Sequence, residues 1–210
     1  MDLGFWRQRW ESNHITFHKS EANTLLLNHF GQLALAQDSR VFVPLCGKTL
    51  DIAWLLSQGY RVVGAELIAM AIEQLFTELG VEPKISQLGD FSLYSAPNLD
   101  IFVGDIFNLS GERLGPVDAI YDRAALVALP EAMRQQYTRH LTEITQTAPQ
   151  LLITFEYDQS LMAGPPFSIS TAEVHQHYQS RYNLSLVSTT DVAGGLKGKC
   201  AATENVWLLQ

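Results

Sequence analysis

Basic residues are scarce in this chain and never cluster. Lys and Arg total 14 against 22 Asp and Glu, for a formal net charge of -8, and no run of five basic residues occurs. Binding a nucleic-acid backbone needs clustered cations to displace its counterions, so nucleic acid is not an expected partner. Cysteine is nearly absent. Cys46 and Cys200 allow one disulfide by arithmetic but no disulfide framework. No apolar stretch approaches the roughly 20 residues of a membrane span. Residues 1–7 hold no uninterrupted apolar segment, so a secretory signal is not expected. There is no internal repeat, no low-complexity segment, and no His/Cys/Asp cluster at metal-ligand spacing. The expectation is a cytoplasmic protein with a small-molecule partner and no membrane association.

What is present is apolar residues in short, regularly punctuated runs. Of 210 residues 47% are hydrophobic, enough for one sizeable core, and residues 1–210 read as a single domain. Ser20 can cap a helix carrying Leu25, Leu26, Phe30, Leu33 and Leu35. Residues 40–44 form a short apolar strand stopped by Pro and Gly. Residues 51–58 and 69–79 read as helices ending at Gly59 and Gly80, with a strand over 61–66 between them. Strands follow at 91–95 and 100–103, joined by the turn Ala96-Pro97-Asn98, and at 117–121. A long helix covers 130–147 with Pro at its start, followed by a buried strand over 151–157. Thr171 caps a helix over 171–182, and strands over 184–189 and 206–209 complete the sheet. Strands separated by helices of this length imply β-α-β units and a largely parallel sheet. The last two strands have no helix between them and are expected to pair antiparallel. The fold class is therefore α/β, a mostly parallel sheet with a C-terminal antiparallel pair; by analogy alone, this resembles the Rossmann-like class I methyltransferase sandwich.

Ligands of such sheets bind beyond the carboxyl ends of the strands. The first strand ends in Pro44-Leu45-Cys46-Gly47-Lys48-Thr49, where Gly47 permits a sharp turn or a close backbone approach. Glu66 ends the second strand, 19 residues after Gly47. A carboxylate there can accept both hydroxyls of a ribose. Gly47-Lys48-Thr49 ends like a P-loop, but the glycine required five residues earlier is Phe42, which rejects that reading. A nicotinamide dinucleotide wants three glycines in the turn and only Gly47 is present, so a pyrophosphate ligand is not expected. An adenosyl sulfonium carries no phosphate and needs less glycine. The bland alternative, an ordinary β-α turn followed by a surface Glu, stays open on these residues alone. After the third strand, Asp105 suits an exocyclic amine and Ile106 an adenine face. Asp122-Arg123 closes the fourth strand, where charged residues suggest a site facing the cofactor. Trp6 and Trp10 are four apart and share a helix face. They either cover something or dock on the core.

Taken together, Phe5-Trp6, Trp10, Phe17-His18, the run Val43-Pro44-Leu45-Cys46-Gly47-Lys48 with Asp51, Val63-Gly64-Ala65-Glu66, Asp105-Ile106-Phe107 and Asp122-Arg123-Ala124-Ala125-Leu126 resemble the bacterial branch of the thiopurine S-methyltransferase family. The match runs in register from Phe5 to about Tyr157. The resemblance implies S-adenosylmethionine as cofactor, leaving S-adenosylhomocysteine as product. It implies cofactor contacts by Trp6, Trp10, Leu45, Gly47, Glu66 and Arg123, with Asp105 and Ile106 at the adenine. It implies that residues 1–20 form a leader over the cofactor and that Phe17 faces an aromatic substrate. It also implies a monomer with no metal. Arg123 is assigned to the substrate as well, stabilising a thiolate during transfer. A sulfonium beside Trp10 would be attracted to the ring face as other cations are. The substrates implied are thiopurines or aromatic thiols, with selenium and tellurium species, and hence tellurite or selenite resistance, as the further expectation. The family carries an Arg in the loop before the last strand. Here that loop, residues 191–200, has none, and offers Lys197 and Lys199 instead. A lysine is a point charge where arginine is a planar fork. His14 and His18 are candidate proton acceptors, though capping or surface roles suit them better, and Cys46 reads as a packing residue. A second hypothesis is a non-catalytic nucleotide-binding module on the same fold.

Overall fold

Val41, Phe42 and Val43 are almost fully buried in succession, which a strand achieves only when both faces of its sheet are covered. That strand, β1 (Arg40–Pro44), lies at the centre of a nine-stranded sheet in a computed structural model that describes residues 3–12, 14–15 and 21–210. Parallel partners flank it: β2 (Arg61–Glu66) on one side and β6 (Ala119–Arg123) on the other. Beyond β2 lies β5 (Leu99–Val103), and beyond β6 lies β7 (Gln150–Tyr157), both parallel to their inner neighbours.

Antiparallel strands close both edges. At the C-terminal edge, β9 (Ala202–Leu209) pairs with β7 and with β8 (Leu184–Asp191), as the missing connecting helix predicts. The other edge holds β4 (Phe91–Ala96), turned onto β5 through Asn98 at φ 62°, and β3 (Lys84–Leu88) outside it. No strand is expected from the sequence at β3. All five of its residues are exposed, so no burial pattern marks it.

Among the described residues seven helices pack around the sheet, including α1 (Leu3–Glu11), α3 (Asp51–Ser57), α4 (Ala69–Leu79) and α5 (Gly111–Leu114). Alternate strand residues face opposite layers. Val41 and Val43 pack with Leu26, Ile52 and Ile72 from α2 (Thr24–His29), α3 and α4. Phe42 packs instead with Tyr137, Leu141 and Val174 from α6 (Glu131–Ile144) and α7 (Thr171–Tyr178).

Several helix limits differ from expectation; among them, α7 ends at Tyr178 rather than 182. The cap of α2 is Asn23, whose side chain accepts from the N–H groups of Leu25 and Leu26; Ser20 lies outside the described residues. Helix α6 stops at Ile144 because Gln146 and Thr147 both take left-handed backbone, φ 54° and 61°. Ser170, not Thr171, caps α7, accepting from the Glu173 N–H. One shift matters for function: β6 begins two residues later than the pattern suggests and so ends on Arg123. The chain leaves β1 for β2 on one side and later returns to β6 on the other. A crevice opens at such a reversal, outside the carboxyl ends of the strands.

Candidate functional site

The crevice is built from two strained strand ends. Leu45, just past β1, has φ 45°, and Ala124, just past β6, has φ 62°. Non-glycine residues adopt this backbone at a cost, which functional sites characteristically carry. Leu45, Ala124, Arg123, Gly47, Trp6 and Trp10 line a narrow cleft of ≈ 60 Å³, with Glu66 in its wall.

Glu66 is 8% exposed. Its Oε2 accepts the Gly47 N–H at 2.8 Å, and its Oε1 accepts those of Leu67 at 2.8 Å and Ile68 at 2.9 Å. Burial raises its pKa and the three amides oppose the rise. Gly47 has φ 52°, which brings its N–H to the carboxylate. Gly64, inside β2, is required by packing: a Cβ there would lie 2.6 Å from Ile101 and 3.0 Å from the Cys46 sulfur. Cys46 itself is buried and unbridged, a packing residue. Lys48 is engaged by Glu78, Nζ to Oε1 at 2.7 Å, so it offers no free charge to a phosphate.

Arg123 lines both the cleft and a larger hollow of ≈ 820 Å³ beside it. The hollow is also lined by Trp6, Arg9, Phe155, Pro165 and Lys197. Lys197 is the loop lysine that reaches this site; its Nζ donates to the Pro165 carbonyl at 2.7 Å. Burial lowers its pKa, and Arg9 and Lys199 push the same way. The 165–166 wall is held by the Tyr157 hydroxyl, which donates to the Pro166 carbonyl at 2.7 Å.

Trp10 is 5% exposed and packs with Ile15, Ile68 and Ala71, with Trp6 against the same cluster. The two tryptophans therefore both dock on the core and line the cleft. Phe17 and His18 lie outside the described residues.

Three expected neighbours are placed differently. Asp122 does not face the crevice: alternation sends it to the opposite layer, fully buried, where it accepts from the Tyr137 hydroxyl at 2.7 Å and the Leu126 N–H at 3.1 Å. Burial lifts its pKa to about 6, against the pull of those bonds. The Ile106 side chain is 1% exposed and packs in the core, so it presents no face to the cleft. Asp105 is partly exposed and caps the short 3-10 turn Ile106–Asn108, accepting from the Phe107 N–H at 3.1 Å. Neither Asp105 nor Ile106 is among the residues lining the cleft. Residues that do line it without being singled out from sequence are Thr49, Leu67 and Ala128. Thr49 and Leu67 come from loops and Ala128 from the short 3-10 turn Leu126–Ala128, where no periodicity marks a side chain's direction.

The donor set suits an adenosyl sulfonium. It offers one buried carboxylate for hydroxyls, indole faces, and no array of glycine amides for phosphate. Among the described residues no group of three or more His, Cys, Asp and Glu is placed to hold a metal, and no helix is long and apolar enough to cross a membrane.

Fold and crevice together define the class I S-adenosylmethionine-dependent methyltransferase architecture. A solved 1,6-didemethyltoxoflavin-N1-methyltransferase from Burkholderia thailandensis, with S-adenosylhomocysteine bound, superposes with a TM-score of 0.66. The overlap covers 99% of this chain and 86% of that one at 13% identity. The thiopurine S-methyltransferase family model matches residues 1–210, and the chain belongs to that family. Curated relatives named thiopurine S-methyltransferase include one from Xanthobacter autotrophicus, 55% identical over 100% of this chain and 99% of that relative. Another, from Teredinibacter turnerae, is 53% identical over 100% and 97%. The chain is accordingly a methyltransferase whose methyl donor is S-adenosylmethionine.

Proposed function

We propose that this chain methylates the sulfur of thiopurines and related aromatic thiols, with the cofactor in the cleft and the thiol in the hollow. The observation that carries this reading is Arg123, which lines both spaces at once. The bound cofactor supplies the electrophilic methyl group. Glu66, its carboxylate fixed by three amides, accepts the ribose hydroxyls. Trp6 and Trp10 cover the cofactor as part of the leader and exclude water. Asp105 stands near the adenine amine. Ile106 is left only its backbone for that end of the site. Phe17 is assigned to the substrate by family likeness. Arg123 holds the nucleophile as a thiolate, so little base catalysis is needed, because aromatic thiols and thiones ionise readily. Lys197 adds positive charge on the far side of the hollow, where the family has an arginine.

The same cation and the same open hollow suit a selenium or tellurium nucleophile, which extends the reading to metalloid detoxification. We read the enzyme as a cytoplasmic monomer by family likeness, and the net charge of -8 with no basic runs supports the lack of a nucleic-acid partner. A non-catalytic role has nothing in its favour, since family membership and an open substrate-sized hollow go together here.

The test is Arg123→Ala. Removing a preorganised charge at the reacting centre costs about 100-fold in kcat. Turnover of 6-mercaptopurine should fall by that factor, while S-adenosylhomocysteine binding, followed by calorimetry, changes much less. Unchanged turnover would remove Arg123 from the mechanism.

A further inference from the structure

Asp51 opens α3 and is 1% exposed. Its Oδ1 accepts the Asn23 N–H at 2.7 Å, and its Oδ2 accepts the Tyr121 hydroxyl at 3.0 Å. The same Oδ2 lies 4.0 Å from Nη1 of Arg123. Tyr121 and Arg123 are two apart on β6 and so project from the same face, and both meet one carboxylate oxygen. A buried carboxylate is costly unless it is paired and hydrogen-bonded. The amide and the hydroxyl occupy one carboxylate oxygen each, and both are neutral donors. The guanidinium is the positive partner placed against this carboxylate.

We propose that Asp51 is a positioning residue for methyl transfer. Its carboxylate, fixed by Asn23 and Tyr121, anchors one edge of the Arg123 guanidinium so that the rest of that side chain is aimed along the line where the cleft meets the hollow. This rests on the reading of Arg123 as the partner of the nucleophile. The anchor joins three elements: the start of α2, the N-terminus of α3 and the end of β6. Loss of the charge frees the guanidinium to rotate.

The experiment is a double-mutant cycle of Asp51→Asn and Arg123→Ala, reading methyl transfer to 6-mercaptopurine with radiolabelled cofactor. Asp51→Asn alone should lower kcat/KM for the thiol about tenfold, with KM for S-adenosylmethionine within about twofold of wild type. In the Arg123→Ala background the same change should alter rate by less than about twofold. A merely structural role would move both substrates and would multiply with Arg123→Ala. Asp51→Asn activity within twofold of wild type, or losses that multiply, overturns the proposal. Full activity of Arg123→Ala instead overturns the role of Arg123 itself, so the two failures are distinct. If Asp51→Asn does not fold, Tyr121→Phe loosens the same carboxylate. It should cost about threefold in wild type and nothing in Arg123→Ala; equal losses in both overturn the proposal.

Discussion

Replacing Glu66 by Gln keeps the shape of the side chain and removes its charge. In the wild type one oxygen takes two amides, from Leu67 and Ile68, and the other takes the Gly47 N–H. A glutamine can keep its oxygen on the pair, but its NH2 then faces the Gly47 N–H, donor against donor. One buried amide is left unsatisfied, at about 1–3 kcal/mol. Against this, the neutral side chain no longer bears the desolvation that raises the Glu66 pKa. The two effects offset, and global stability should change by no more than about 1–2 kcal/mol. Cofactor binding has no such offset. Hydrogen bonds from the ribose hydroxyls to a carboxylate are roughly twice as strong as neutral ones. Losing the charge on two of them removes about 2–3 kcal/mol, roughly 30- to 150-fold in Kd. Titration calorimetry with S-adenosylhomocysteine measures this directly, and urea unfolding supplies the stability control. A Kd within about threefold of wild type would refute the ribose assignment of Glu66, because that difference is under 0.7 kcal/mol or so.

Asp122 gives a pH-dependent prediction. Its folded pKa of about 6 lies above the ordinary 3.8, so the folded state binds its proton first. Its contribution to stability is complete below the ordinary value and is lost as pH rises through 6. Wild type should therefore gain about 2 kcal/mol relative to Asp122→Asn between roughly pH 7 and pH 4.5, measured by urea unfolding at each pH; a constant difference would contradict the burial argument. Trp10→Ala removes a ring that packs with Ile15, Ile68 and Ala71, beside Trp6 and Leu67. The loss falls on the docking of α1 rather than on the sheet. Denaturant stability should fall by up to about 3–5 kcal/mol, as for other large-to-small changes at buried sites, while affinity for S-adenosylmethionine falls roughly tenfold. A large stability loss with unchanged affinity would make Trp10 a core residue alone.

Burial on two faces is what made the central sheet legible. β1, β2 and β7 are continuous apolar runs because helices cover both sides. β3 carries no such mark, since it is an exposed edge strand held by backbone pairing to β4. The limits of α6 were hidden for a different reason: Gln146 and Thr147 adopt left-handed backbone without being glycine, so composition gave no stop signal.

The site divides in the same way. Gly47 and Glu66 were readable from spacing, because the β-α-β unit fixes where the turn and the second strand end. Asp122 could have been separated from Arg123 by period-two alternation alone: neighbours in a strand cannot share a face. Asp51 and Lys197 reach the site through tertiary placement, one by its side-chain contacts from α3 to Tyr121 and Arg123 of β6 and the other by a loop folding back over Pro165. No local pattern encodes either.

Methyl transfer to sulfur is the central claim, and the direct measurement is product formation from S-adenosylmethionine and 6-mercaptopurine by the purified chain, identified by mass. Saturable formation of the S-methyl product, with none above background from the oxygen analogue hypoxanthine, is the predicted result. Tight binding of S-adenosylhomocysteine with no methyl transfer to 6-mercaptopurine or to a simple aromatic thiol would contradict it.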